Sequence, residues 1–356
     1  MKFFRILLFP FSIIYGLITK IRNKLFDWKI LSSKKFSIPI ISVGNLSVGG
    51  TGKTPHVDYL IRLLKGKYQI ATLSRGYGRK TSGFILANVN SIDKEIGDEP
   101  LMYAKKHPSI NVAVDGNRVR GIKKILEAQP ETNVVLMDDA YQHRHVKPGL
   151  SILLTDYFAL YTSDYLLPTG NLRESRKGAK RADIIVVTKT PKVFSPLDRR
   201  LIINKINPLP HQSVFFSYIK YGNFLPLLEK TNLLKVNAPS KILLFTGIAN
   251  PSPFEEYLKR QCNELVSIKF KDHHQFTNEN LKKIRKKFES IFSNNKIIVT
   301  TEKDRMRLFS KQVFDVFADL PVYYVPIEIE FHKDDLYKNI MDFDTKILEF
   351  LQKSNS

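Results

Sequence analysis

The eight residues Ser47-Val48-Gly49-Gly50-Thr51-Gly52-Lys53-Thr54 follow an apolar run, Pro39 to Val43, and precede a helix-like stretch. Glycines in this arrangement let successive backbone N–H groups turn toward one anion at the positive end of a helix dipole. Gly49, Gly50, Thr51 and Gly52 would form that cradle, Lys53 would reach the β- and γ-phosphates, and the Thr54 hydroxyl would ligate Mg²⁺. One position departs from G-x-x-x-x-G-K-[ST], because Ser47 stands where the first glycine belongs. The other glycines still supply flexibility. A glycine-rich turn ahead of an ordinary helix is the plain alternative, but strand, Gly-Lys-Thr and helix stand in register, which favours a nucleoside triphosphate.

A second apolar run, Asn133 to Met137, ends in Asp138 and Asp139. Carboxylates delivered by a strand to the loop beside a phosphate cradle suit a metal held directly or through water. Aspartates also favour turns and caps. Asp98 and Glu99, in Gly97-Asp98-Glu99-Pro100, stand just before a helix-like stretch and by themselves read as a cap with dipole-favourable acids. Asp272-His273-His274 carries the same capping alternative.

These residues need a scaffold that brings them to one edge. Apolar runs at Pro39–Val43, Gln69–Leu73, Asn111–Val114, Asn133–Met137, Ser151–Thr155 and Asp183–Thr188 alternate with helix-like stretches. That alternation predicts βαβ units and a parallel sheet with helices on both faces, of the P-loop NTPase type. Ligands of such sheets sit at the carboxyl ends of the strands, where nearly all the unusual polar residues of the first half fall. From Ser213 to Leu228 an aromatic and β-branched run turns at Tyr221-Gly222-Asn223, which predicts a hairpin linking two halves. The expected organisation is an amino-terminal interface helix (1–30), a P-loop domain (31–212), a hairpin linker (213–236) and a smaller α/β domain (237–356) whose last helix can return to the first.

The bulk properties agree with two domains: 356 residues with 43% hydrophobic content exceed one ordinary core. A net charge of +22 calls for an anionic partner. The single cysteine, Cys262, excludes an internal disulfide and any multi-cysteine zinc site. The apolar run Ile6–Ile18 is bracketed by Lys2, Arg5, Lys20, Arg22 and Lys24 and accompanied by Phe3, Phe4, Phe9, Phe11 and Trp28. It is too short to span a bilayer and lacks a cleavage site, so it reads as a segment lying in an anionic membrane interface. The alternative is a helix buried in the fold.

Several motifs share one order. Val43-Gly44-Asn45 leads into Gly49 to Pro55, followed by Ser74-Arg75-Gly76-Tyr77-Gly78, Gly97-Asp98-Glu99-Pro100, Asp138-Asp139-Ala140-Tyr141-Gln142-His143 and Gly170-Asn171-Leu172-Arg173-Glu174. Thr246-Gly247-Ile248-Ala249-Asn250-Pro251, Asp272-His273-His274 and Thr301-Glu302-Lys303-Asp304 complete the set. Together they resemble the tetraacyldisaccharide 4'-kinase family, from the amino terminus to about residue 310. The resemblance implies ATP- and Mg²⁺-dependent phosphorylation of the 4'-hydroxyl of a tetraacyl glucosamine disaccharide 1-phosphate, at the cytoplasmic face of a bacterial inner membrane. It implies Asp98 as base or orienting group with His273 as partner, and Lys53 and Thr54 on the phosphates and metal. It further implies Asp138, Asp139 and Glu174 around the metal, and Arg75 and Asn171 near phosphate or sugar. One departure stands out: Ala140-Tyr141 replaces the family's usual Gly-Phe, which touches loop geometry only.

Two rival classes are open. A P-loop GTPase or metallochaperone would carry a guanine-reading N-K-x-D element, which Thr301-Glu302-Lys303-Asp304 resembles only loosely. A nucleic-acid-dependent ATPase rests on charge alone, and no helix-turn-helix, zinc finger or RNP pattern supports it. The expected partners are therefore an acylated disaccharide lipid and an anionic membrane surface, with neither nucleic acid nor an obligate protein partner.

Overall fold

The computed structural model describes residues 5, 7–228, 239–308, 311–333 and 341–355. Lys2, Phe3, Phe4 and Ile6 of the amino-terminal reading, and the 229–236 end of the expected linker, lie outside them. The chain forms two compact units, 1–219 with 329–356 and 220–328.

In chain order the strands are β1 (Ile40–Asn45), β2 (Ile70–Ser74), β3 (Ile85–Leu86), β4 (Asn111–Val114), β5 (Val134–Asp138), β6 (Leu150–Asp156), β7 (Ile184–Thr188) and β8 (Ser213–Tyr221). They continue with β9 (Leu225–Pro226), β10 (Lys241–Thr246), β11 (Glu264–Lys269), β12 (Lys296–Thr301), β13 (Val322–Val325) and β14 (Ile327–Phe331). The first unit is built on a sheet of order β14-β8-β7-β6-β1-β5-β2-β4-β3. Its pairs from β4 through β8 are parallel, and β3 is antiparallel to β4. β1, β2, β5 and β7 are buried along their whole lengths, as strands covered on both faces must be. One face packs Leu153, Ile185 and Val187 with Leu172, and the other packs Ala71, Leu73 and Val135 with Ile122. The second unit has its own sheet, β11-β10-β12-β13-β9, parallel except for β9 against β13.

The expected hairpin is not formed. β8 pairs in parallel with β7 while β9 pairs with β13, so the two arms belong to different sheets. The turn residues are there, but each arm finds a better partner far away in sequence. The final helix, Phe343–Asn355, belongs to the first unit. Phe343 stacks on Phe331, and the Tyr59 hydroxyl donates to Asp344 Oδ1 at 2.6 Å.

The amino-terminal helix, Phe9–Asp27, is inverted relative to an ordinary surface helix. Its polar side faces the protein: the Ser12 hydroxyl donates to Thr169 Oγ1, the Tyr15 hydroxyl to the Arg173 carbonyl and Asn23 Nδ2 to Glu174 Oε2. Phe11, Ile14, Leu17, Ile18 and Ile21 point outward, each 51–61% exposed. The helix is therefore not a buried core element. No helix of the described residues is long and apolar enough to cross a membrane.

Candidate active site

β1 runs into the phosphate loop, and the Lys53–Leu64 helix leaves it. Gly52 caps that helix at φ +85°, in the left-handed region, which explains glycine there. Ser47 needs no such freedom: it bridges Leu172, and its φ is not positive. The missing first glycine is thus tolerated. Asn45 Nδ2 donates to Thr51 Oγ1 at 2.8 Å, and Thr188 Oγ1 donates to the Thr51 carbonyl at 2.9 Å, pinning the loop from β1 and β7. His56, one turn into the helix, bonds the Gly52 carbonyl through Nδ1 at 2.7 Å and Ser217 Oγ through Nε2 at 2.9 Å. A carbonyl only accepts, so Nδ1 carries the proton. Burial depresses this imidazole to about 4, leaving it neutral.

β5, next to β1, delivers the paired aspartates. Lys53 Nζ lies 3.4 Å from Asp139 Oδ1, and Arg173 reaches the same carboxylate at 3.0 Å. Burial opposes ionisation of Asp139, but these two cations hold its carboxyl below the usual range. Asp138 is treated oppositely. It is almost fully buried, and burial, reinforced by Glu99 and Asp139, raises it to about 7 against the pull of Lys53 and Tyr103. Asp138 Oδ2 accepts from the Tyr103 hydroxyl at 2.8 Å, while Oδ1 is buried without any partner. An orphaned carboxylate oxygen beside a phosphate loop fits a hard divalent cation, which prefers one or two carboxylates plus phosphate oxygens.

Asp98 begins the Asp98–Lys106 helix, with Gly97 as its cap, so the acids lie in the first turn. Asp98 is 8% exposed and its Oδ1 accepts from the Glu99 amide at 3.1 Å. A Cβ on Gly97 would stand 2.8 Å from the Tyr77 carbonyl, so only glycine allows the two motif loops this close. Arg75, in the first of them, is exposed. It lines a cavity of about 310 Å³ with Arg22, Arg118, Asp139, His143 and Arg173, beside Tyr15 and Thr19 of the amino-terminal helix. A neighbouring cavity of about 500 Å³ shares Arg118 and His143.

Glu174 and Asn171 take structural bonds beside the phosphate loop. Arg181 and Gln142 donate to Glu174 Oε1 and Asn23 donates to Oε2, so this buried carboxylate is tied to the amino-terminal helix. The Asn171 carbonyl accepts from the Val48 amide at 2.7 Å, while its side chain bonds Asp164 and Arg5. Asn171 therefore holds the outer strand of the phosphate loop. The Ala140-Tyr141 departure has a local account, because the Tyr141 hydroxyl donates to the Gly178 carbonyl at 2.8 Å.

Among the sequence motifs His143 was quoted only as loop sequence and Arg118 not at all, and the structure places both in the wall of the cavity lined by Arg75. Arg118 is 3% exposed, its Nε and one terminal nitrogen have no partner, and burial lowers it to about 10, so it stays a cation. Burial, then Arg118, depress His143 to about 4. Both follow strands ending at the same sheet edge, and that position is the signal that could have singled them out.

In the second unit, His273 has φ +58° and its ring faces Arg307 through Nδ1 at 3.2 Å and Lys303 through Nε2 at 3.1 Å. His274 stacks on Phe270 and bonds Asn280 Oδ1 at 2.7 Å, which makes it part of the packing beside the Asn278–Glu289 helix. Asp304 is a bolt. Fully buried, it accepts from the Thr246 hydroxyl, the Gly247 amide and the Thr301 hydroxyl, and pairs with Arg307 at 3.1 Å.

Residues 4–344 match the family described as Tetraacyldisaccharide-1-P 4'-kinase. The chain belongs to that family. Among relatives of this kinase family, the tetraacyldisaccharide 4'-kinase of Flavobacterium psychrophilum is 48% identical, covering 100% of this chain and 99% of that one. That of Bacteroides thetaiotaomicron is 44% identical, covering 98% and 96%. A crystal structure of the "apo" form of LpxK from Aquifex aeolicus in complex with ATP superposes with a TM-score of 0.73 at 28% identity, covering 99% of both chains.

Proposed function

We infer that this chain transfers the γ-phosphoryl group of ATP to the 4'-hydroxyl of a tetraacyl disaccharide 1-phosphate, in lipid A biosynthesis. The observation that carries the reading is one carboxylate with two neighbourhoods. Asp139 pairs with the phosphate-loop Lys53 and also lines an arginine-rich cavity walled by the amino-terminal helix. Donor and acceptor sites therefore adjoin.

Phosphoryl transfer is mainly positioning and charge stabilisation. Lys53 and the loop amides from Gly49 to Gly52 hold the triphosphate. Thr54, Asp138 and Asp139 are the residues that would hold Mg²⁺, which would offset the negative charge of the transferring phosphoryl group. Arg75, Arg118 and Arg173 supply positive charge for the anionic sugar phosphate. Asp98 accepts the proton of, or orients, the attacking hydroxyl. The family resemblance implies His273 as its partner, and the His274 ring packs on Phe270 and bonds Asn280.

The acceptor's acyl chains stay in the bilayer, so the sugar must be met at the membrane surface. The outward face of Phe11, Ile14, Leu17, Ile18 and Ile21, beside Lys20 and Arg22, suits a peripheral helix in an anionic interface at the cytoplasmic face. Its polar inner side lets Tyr15 and Thr19 wall the acceptor cavity.

The test is incubation with γ-labelled ATP, Mg²⁺ and the disaccharide 1-phosphate lipid in detergent. Label should appear on the lipid and vanish with Lys53→Ala; label released only as inorganic phosphate would refute the reading.

A further inference from the structure

We propose that Tyr103 is a positioning residue: its hydroxyl holds Asp138 in the orientation that offers Oδ1 to the metal, and ties that carboxylate to the helix that begins at Asp98. The inference rests on the reading of Asp138 as a metal ligand. Tyr103 is fully buried, and its hydroxyl lies 2.8 Å from Asp138 Oδ2 and 3.4 Å from the Thr54 carbonyl. A phenol has one proton, and the shorter contact to the carboxylate takes it. Oδ2 is thus engaged by the phenol, and Oδ1 is the buried oxygen that has no partner. The carboxylate is thereby fixed about its terminal torsion, which is otherwise soft and nearly two-fold.

The placement sets Tyr103 on the same short helix as Asp98. Asp98 stands at its first position, Glu99 at its second, and Tyr103 five residues after Asp98, roughly 7.5 Å along the axis. The Tyr103 ring sits wholly inside, so phenylalanine would fill the same volume. What selects tyrosine is the hydroxyl, which at that depth requires a partner. That partner is the site's own Asp138, and the Thr54 carbonyl beside it belongs to the loop's metal-ligating threonine. Partners behind metal ligands orient them, and losing such a partner costs typically 10–100-fold in metal affinity.

The experiment uses the full chain with Tyr103→Phe, and with Asp138→Asn as reference. Each protein is saturated with a non-hydrolysable ATP analogue and titrated with Mg²⁺ in a calorimeter. The expected result for Tyr103→Phe is Mg²⁺ binding weakened about 10–100-fold, with binding of the metal-free analogue within about twofold of the parent. If Asp138→Asn loses Mg²⁺ and Tyr103→Phe keeps parental affinity, the positioning role is overturned while the metal reading survives. Parental affinity in Asp138→Asn would overturn both. Should Tyr103→Phe be recovered unfolded, 3-fluorotyrosine at position 103 keeps the hydroxyl. Its ¹⁹F resonance should move when Mg²⁺ is added to the analogue complex, and an unmoved resonance overturns the proposal.

Discussion

Lys53 Nζ lies 3.4 Å from Asp139 Oδ1, so the cation that would grip a triphosphate already has an anionic neighbour. Arg173 on the same carboxylate lets Lys53 be shared with phosphate without leaving Asp139 bare. Lys53→Met should therefore cost turnover by about 10²–10³, the usual effect of one preorganised charge donor. Steady-state kinetics with the lipid acceptor would check this. A loss below threefold would place the critical cation elsewhere.

Asp98→Ala should lower turnover by about 10²–10⁴, the range of general-base assistance, with nucleotide affinity nearly unchanged. His273→Ala should lower it too, and the double variant should fall no further than the worse single one, because groups acting as a unit are not additive. Fully additive losses would separate the two residues' roles.

The Asp138 carboxyl carries a pH signature. Burial raises it from the ordinary 3.8 to about 7, so the ionised form is the costly one in the folded chain. Its contribution to stability is present below about pH 4 and lost as pH rises through about 7. Asp138→Asn, which keeps an oxygen for Tyr103, should stabilise the nucleotide-free protein at pH 8, by at most about 4 kcal/mol. The advantage should shrink toward pH 4. Thermal unfolding at three pH values measures it, and a pH-independent difference would contradict the assignment.

Ile14→Asp and Ile18→Asp change side chains that are 58% and 61% exposed, so Tm should stay within about 2 °C, as for ordinary surface positions. Sedimentation with anionic vesicles should fall several-fold, since each change removes apolar area and adds a negative charge. Deleting residues 1–24 should impair action on membrane-borne lipid more than nucleotide binding. Unchanged sedimentation of the point variants would make the outward face irrelevant to membranes.

Asp304→Ala would take a buried carboxylate from Arg307, whose side chain is 1% exposed, and would leave the Thr246 and Thr301 hydroxyls without their shared acceptor. Breaking a buried pair from one side costs about 3–5 kcal/mol. Urea unfolding followed by a probe in the second unit should show that loss.

Much of this protein could be read from local sequence. Apolar run length and turn chemistry are short-range properties, so β1, β2, β4, β5 and β7 fall within two residues of their expected places, and the loop that bears Lys53 follows β1 as its spacing requires. The aspartate pair is delivered by β5 for the same reason. What the sequence left open is partnership. Ser213 to Leu228 has the pattern of a hairpin, yet its arms pair with β7 and β13, because pairing is decided by which strands meet across the folded chain. Glu174 follows a motif in the manner of a ligand, but Asn23, 151 residues away, and Arg181 take its oxygens. Tyr103 and Arg118 show nothing unusual in composition, and the composition of the amino-terminal helix does not say which of its sides faces inward. Their roles arise only when Tyr103 meets Asp138, 35 residues on, when Arg118 is buried with nitrogens unpartnered, and when Ser12 and Tyr15 turn the helix's polar side inward. Period and turns are set by neighbours along the chain, whereas burial, ion pairing and the placing of Asp139 between Lys53 and an arginine-lined cavity are set by contacts that only the folded chain creates.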